Sequence, residues 1–160
     1  MKAASIHELQ KELTALEPKQ LKELCIRLAK YKKDNKELLS YLLFEAHDEK
    51  AYVKNIKQEI DVLFEEMNRD TAYLTKKSLR KILRLINKFI KYSGDKQTEI
   101  ELRIYFCTKV KAARIAIDTN TVLSNLYSRE IEKIKTTFSK LHEDLQYDYK
   151  QELEKLGIDA

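Results

Sequence analysis

An all-α protein is the fold class this sequence predicts: a single domain of six or seven helices, with a long C-terminal helix. Three observations predict it. The 160 residues include only 2 Gly and 1 Pro, where ordinary usage would give roughly eleven and eight. Hairpin turns lean on Gly, Asn and Pro, so a many-stranded sandwich or barrel is excluded. Rossmann and P-loop folds need glycines against a phosphate, and Gly94 and Gly157 are all there are. Second, apolar residues recur every three or four positions to the end of the chain, which is the helical period. Third, charged residues reach 36%, above the usual quarter, as amphipathic helices with crowded outer faces require. The expected arrangement is an irregular helical bundle or a short α-α superhelix.

The elements follow from start and stop signals. Ser5-x-x-Glu8 is a capping box, opening a first helix with Ile6, Leu9, Leu13 and Leu16 on one side. Pro18 suits the first position of a second helix, where its missing N–H costs nothing; Leu21, Leu24, Cys25 and Leu28 form its apolar face. Asp34-x-x-Glu37 begins a third with Leu38, Leu39, Leu42, Leu43 and Ala46, and Tyr41 and Phe44 widen the stripe enough to place this helix deep. Asp48 caps a fourth, with Val53, Ile56, Ile60, Leu63, Phe64 and Met67 on one arc.

Asn68–Thr71 interrupts the pattern before a fifth helix from about Ala72 to Tyr92, ended by Gly94 as a left-handed cap. Thr98-x-x-Glu101 is a second capping box. The helix it opens, to Ile117, is apolar on two faces: Leu102, Phe106 and Val110 on one, Ile100, Ile104 and Cys107 on the other. Such a helix is sandwiched between neighbours and is expected at the centre. Asp118–Thr121 is a run of weak helix formers and marks a break. Beyond it one apolar stripe runs without a breaker to Gly157. This reads as a single helix of roughly 54 Å. Its far end, Leu141, Leu145, Tyr149, Leu153 and Leu156, is expected to overhang the body and meet a partner helix or a second copy.

Catalytic and metal chemistry find no foothold. His7, His47 and His142 lack the Glu-x-x-His and HExxH spacings of metal sites. Cys25 and Cys107 fall on apolar faces, and paired carboxylates such as Glu65-Glu66 arise by chance among 26 acids. No cofactor is implied. The N-terminus lacks the apolar core of a signal peptide and no stretch is long enough to span a membrane, so a cytoplasmic location with reduced thiols is expected.

Charge is the informative pattern. Net charge is +5, and it is unevenly spread. Between Thr71 and Ile117 twelve basic residues face three acids, Asp95, Glu99 and Glu101. No acid occurs between Asp70 and Asp95, and Lys77, Arg80, Lys81, Arg84, Lys88 and Lys91 share one arc opposite the apolar stripe. Like charges at i,i+4 repel by a few tenths of a kcal/mol each, so a compensating field is expected. The face is solvated or neutralised by Glu59, Asp61, Glu65 and Glu66 of the fourth helix; or it binds nucleic-acid phosphates; or it meets an acidic protein or membrane surface. Tyr31, inside Lys30-Tyr31-Lys32-Lys33, reads as a helix-end residue, with base stacking as the alternative.

The stretch Leu21–Leu63, with Lys36-Glu37-Leu38-Leu39-Ser40-Tyr41-Leu42, followed by the Lys77–Tyr92 helix, resembles in layout a group of small all-helical bacterial proteins of unknown function. The resemblance implies a bacterial cytoplasmic protein and transfers no activity, ligand or site residue. The expectation is therefore a non-enzymatic helical scaffold that binds another protein or itself. Nucleic-acid binding through the basic face of the 76–91 helix is the alternative.

Overall fold

Helix signals in the chain are met by local hydrogen bonds that a computed structural model of the protein makes explicit; it describes residues 1–159. The described residues form eight α-helices and no strand: α1 (Ile6–Thr14), α2 (Pro18–Tyr31), α3 (Lys33–Ser40), α4 (Glu49–Glu65), α5 (Ala72–Ser93), α6 (Lys96–Ala112), α7 (Thr121–Phe138) and α8 (Glu143–Leu156). A π-helical turn, Tyr41–Glu45, continues α3. The chain divides into two compact units, Met1–Phe44 and Glu45–Ala160.

In the first unit, Ser5 and Glu8 close the capping box, and Pro18 sits at the start of α2. The two Ser5 hydrogen bonds hold the Glu8 carboxyl below its ordinary range. Helix α3 begins one residue before Asp34, with Lys32 as its N-cap, rather than at the expected Asp34 signal. Helices α2 and α3 pack on each other, and Asn35 Nδ2 donates to the Leu28 carbonyl at 2.9 Å. The expected deep third helix is a correction: Tyr41 alone is buried in this unit, while Leu42, Leu43 and Phe44 are exposed. Ile6, Leu9, Leu13, Leu24 and Leu28 are exposed as well, and so is Cys25.

The second unit is built round α6, which packs against α4, α5, α7 and α8. Ile100, Leu102, Ile104, Phe106, Cys107 and Val110 are all buried, as two apolar faces require. The helix starts earlier than the Thr98 signal, because Asp95 caps it by accepting from the Gln97 N–H. The Thr98 hydroxyl donates instead to Glu49 at 2.7 Å, tying α6 to the start of α4. It also stops earlier than Ile117. Arg114 adopts φ +51°, and the Ile115 and Arg114 N–H groups return to the Val110 and Lys111 carbonyls at 3.3 and 2.9 Å. That is a Schellman stop made without glycine. Arg69 Nη1 covers the Ala113 carbonyl beside it.

The single long C-terminal helix is also corrected. It is two helices, α7 and α8, separated at Ser139–His142. They run to about 27 Å and 21 Å, well short of the expected span. Leu141 turns into the core at the break. Gln146 Nε2 donates to the Phe138 and Leu141 carbonyls, both at 3.1 Å, and His142 caps α8 by accepting from the Asp144 N–H.

Candidate polyanion-binding groove

Helix α5 owes its orientation to one stripe. Thr75, Leu79, Ile82, Ile86 and Ile90 are buried at helical spacing, and this forces the intervening cations outward. Lys77, Arg80, Lys81, Arg84 and Lys91 are exposed, and Lys88 is half-buried with Nζ 5.3 Å from the Phe89 ring centroid. These cations stand on the side of α5 away from its buried stripe.

The four acids expected to neutralise the face, Glu59, Asp61, Glu65 and Glu66, do not pair with Lys77, Arg80, Lys81, Arg84 or Lys91. Asp61 turns to α6: it bonds Lys109 Nζ at 2.8 Å and the Tyr105 hydroxyl at 2.6 Å. Burial pushes the Asp61 carboxyl up, but the Lys109 and Tyr105 hydrogen bonds and the Lys109 charge outweigh it and hold it low. Glu59, Glu65 and Glu66 are exposed, and none pairs with a cation of α5. Lys77, Arg80, Lys81, Arg84 and Lys91 thus have no acid within ion-pair distance among the described residues.

Where α5 meets α7, Arg80 alone of these cations borders a groove of about 290 Å³. Its α5 wall is Lys76, Arg80, Leu83 and Asn87, residues three or four apart on one edge; its α7 wall includes Asn125, Arg129 and Lys133. A shallower depression on α5 continues it past Lys77 and Arg84 to Tyr73. Lys76 Nζ lies 5.5 Å from the Tyr73 ring centroid. The one acid of the groove, Glu130, is already occupied. Its carboxylate takes Arg103 Nη1 at 2.6 Å and Lys133 Nζ at 2.7 Å, and Arg103 is held in turn by Glu99 at 2.9 Å. Lys76, Arg80 and Arg129 carry no such partner, so the groove is a surplus of positive charge beside amides. Sequence reasoning counted Lys76 among the basic residues of this helix and missed Asn87, Asn125, Arg129 and Lys133. The i,i+4 pair Arg129/Lys133 was a usable signal, but the packing of α7 on α5 was not readable.

The other candidate surface closes. Leu141, Tyr149, Leu153 and Leu156 are buried and Leu145 is half-buried. The break at Ser139–His142 lets α8 lie along α6, so the stripe faces its own core and offers no free face to a partner helix. Burial, with neighbouring acids, pushes the Tyr149 hydroxyl up to about 12. A second cavity of about 490 Å³ lies among α4, α6 and α8. Its main charges are paired internally: Lys57 with Glu101 at 2.6 Å, and Lys111 with the Leu156 carbonyl at 2.5 Å.

Among the described residues no three His, Cys, Asp or Glu side chains converge as a metal site requires, and no helix is long and apolar enough to cross a membrane. Comparison of the chain with protein-family models, curated proteins and solved structures gives no match.

Proposed function

We propose that the protein binds nucleic acid, without catalysing a reaction on it, through the basic face of α5 and the α5–α7 groove. One observation carries this reading: the cations at 76, 77, 80, 81, 84, 91 and 129 have no acid partner, although α4 carries acids and packs on α5. Uncompensated Lys and Arg along a helix neutralise phosphates and release counterions, with no need of a sequence code. A cytoplasmic location belongs to the same reading, since both cysteines are unpaired and thiols persist there.

The test is fluorescence anisotropy of a labelled oligonucleotide at two salt concentrations. If about four phosphates are neutralised, raising salt from 50 to 200 mM weakens binding by roughly fifty- to a hundred-and-fifty-fold. Arg80→Glu with Arg129→Glu should remove most of the affinity and flatten that dependence. Unchanged binding by the folded double variant would refute the reading.

A second reading, a scaffold that associates with itself or another protein, is supported by the N-terminal unit. That unit leaves large apolar side chains from all three of its helices uncovered.

A further inference from the structure

Resting on the nucleic-acid reading, we infer that the α5–α7 groove accepts a single strand rather than a duplex, stacking a base on Tyr73 and meeting base edges with Asn87 and Asn125.

Three features of the groove lead there. The first is the position of α5 among its neighbours. A helix that reads a duplex must enter a major groove about 8.5 Å deep, so it has to stand proud of the elements beside it. Helix α5 is packed against α4, α6 and α7, and α7 forms the far wall of the groove. Lys76 and Arg80 of α5 line a trough between helices, facing Arg129 and Lys133 of α7, while Lys77, Lys81, Arg84 and Lys91 stand exposed on its outer face. The trough holds about 290 Å³, the scale of a small-ligand pocket. One strand can lie along it; a double helix can touch only its rim.

The second is Tyr73. It stands in the first turn of α5, 65% exposed, at the end of the depression that carries Lys76, Lys77 and Arg80. An aromatic ring left in water costs apolar exposure, and here a cation lies 5.5 Å from the ring centroid. Ring and cation together fit an unstacked base and its phosphate. Duplex bases have their faces covered already and gain nothing from such a ring.

The third is the pair of amides. Asn87 lines the groove from α5 and Asn125 from α7, and neither makes a side-chain hydrogen bond within the protein. Phosphate oxygens need only donors, which the cations supply in excess. An amide presents a donor and an acceptor together, the complement of a base edge that pairing has left open.

The experiment compares one 12-nucleotide strand with the blunt duplex of the same sequence by anisotropy at fixed salt. It uses the full-length protein, Tyr73→Leu, Tyr73→Phe, and Asn87→Leu with Asn125→Leu; Arg80→Glu is the charge control. Circular dichroism melts establish that each variant is folded. The strand is expected to bind at least tenfold tighter than the duplex. Tyr73→Leu should weaken the strand about tenfold and leave its salt dependence unchanged, while Tyr73→Phe retains binding. The amide variant should weaken the strand and leave the duplex alone. Equal affinity for both forms, or strand binding indifferent to Tyr73→Leu but lost in Arg80→Glu, overturns the inference and leaves general polyanion binding standing. Binding of neither form, or binding only to phosphatidylserine vesicles, overturns both.

Discussion

Cys107 is fully buried on α6, and burial together with the charge of Glu130 pushes its thiol up to about 12. Tyr105 is pushed to about 12 by burial and by its hydrogen bond to Asp61, and Tyr149 reaches about 12 as well. Tyr127, whose hydroxyl is buried without a hydrogen-bond partner, is raised further by burial and by the charges of Cys107 and Asp118. Each group is held neutral in the folded state and would ionise earlier in the unfolded chain, near 9.0 for the thiol and 10.0 for the phenols. Between those values and about 12 the folded state therefore holds more protons, and stability falls as pH rises. The expected result is a urea midpoint that is level around pH 8 and drops progressively above about pH 9. Cys107→Ala should lose less than the wild type between pH 8.5 and 9.5, where the thiol is the first of these groups to titrate. A midpoint independent of pH up to 11 would contradict the buried placement of Cys107, Tyr149 and the Tyr127 hydroxyl.

At the scale of elements, the tie between α6 and α7 is an ion pair rather than an apolar contact alone. The Arg103 and Glu130 side chains are 7% and 3% exposed, and Glu99 and Lys133 satisfy the remaining lone pairs and protons. Removing one partner of such a pair strands a buried charge, at a cost of about 3–5 kcal/mol, whereas replacing both with apolar residues is often neutral. Arg103→Met should therefore destabilise by about that amount and Arg103→Met with Glu130→Leu should recover most of it. Additive losses in the double variant would show that Arg103 and Glu130 contribute independently, with no coupling energy between them. The pair also bears on the groove. The variant that frees Lys133 from Glu130 adds a cation to the α7 wall, so oligonucleotide affinity should rise rather than fall.

The elements also show where sequence reading succeeds. Ser5–Glu8, Pro18, Asp48 and Gly94 were legible because each acts within its own turn, through a cap bond or a fixed φ. The α7–α8 break was not. Its apolar stripe keeps helical phase from Phe138 through Leu141 to Leu145, so periodicity passes over a stop. The signal that remained, His142 ahead of Glu143 and Asp144 as an N-terminal turn, is local and weak. Thr98 misled for the opposite reason: its hydroxyl was claimed by a residue 49 positions away. The same division runs through the groove. The α5 cations were readable from i,i+4 spacing, and their α7 counterparts depend on a helix pairing that no local pattern encodes.

At the scale of the whole molecule, the two units differ in how they can be held together. The second surrounds α6 with four helices. The first has Tyr41 as its only buried side chain, with Leu28 60% and Phe44 67% exposed. Chains of about 40 residues bury too little to be stable alone, so a partner that covered these apolar side chains would add order to this unit. Twelve large apolar side chains are exposed there. If each buries about 80 Å², the area exceeds the roughly 800 Å² per partner of a standard interface. A second copy of the chain would suffice as cover. The prediction is concentration-dependent association in sedimentation velocity, with Leu24→Glu and Leu28→Glu returning the protein to a monomer. Amide exchange in residues 1–44 should quicken in that variant, while α4–α8 keep their protection. A wild-type monomer across the whole concentration range, with exchange in 1–44 unchanged by the substitutions, would remove the scaffold reading. Helices α5 and α7 both belong to the second unit, so the intrinsic strand affinity of each groove should not follow the loss of association. A variant that loses both together would mean that the strand binds across two copies, through avidity between their grooves rather than through one groove alone.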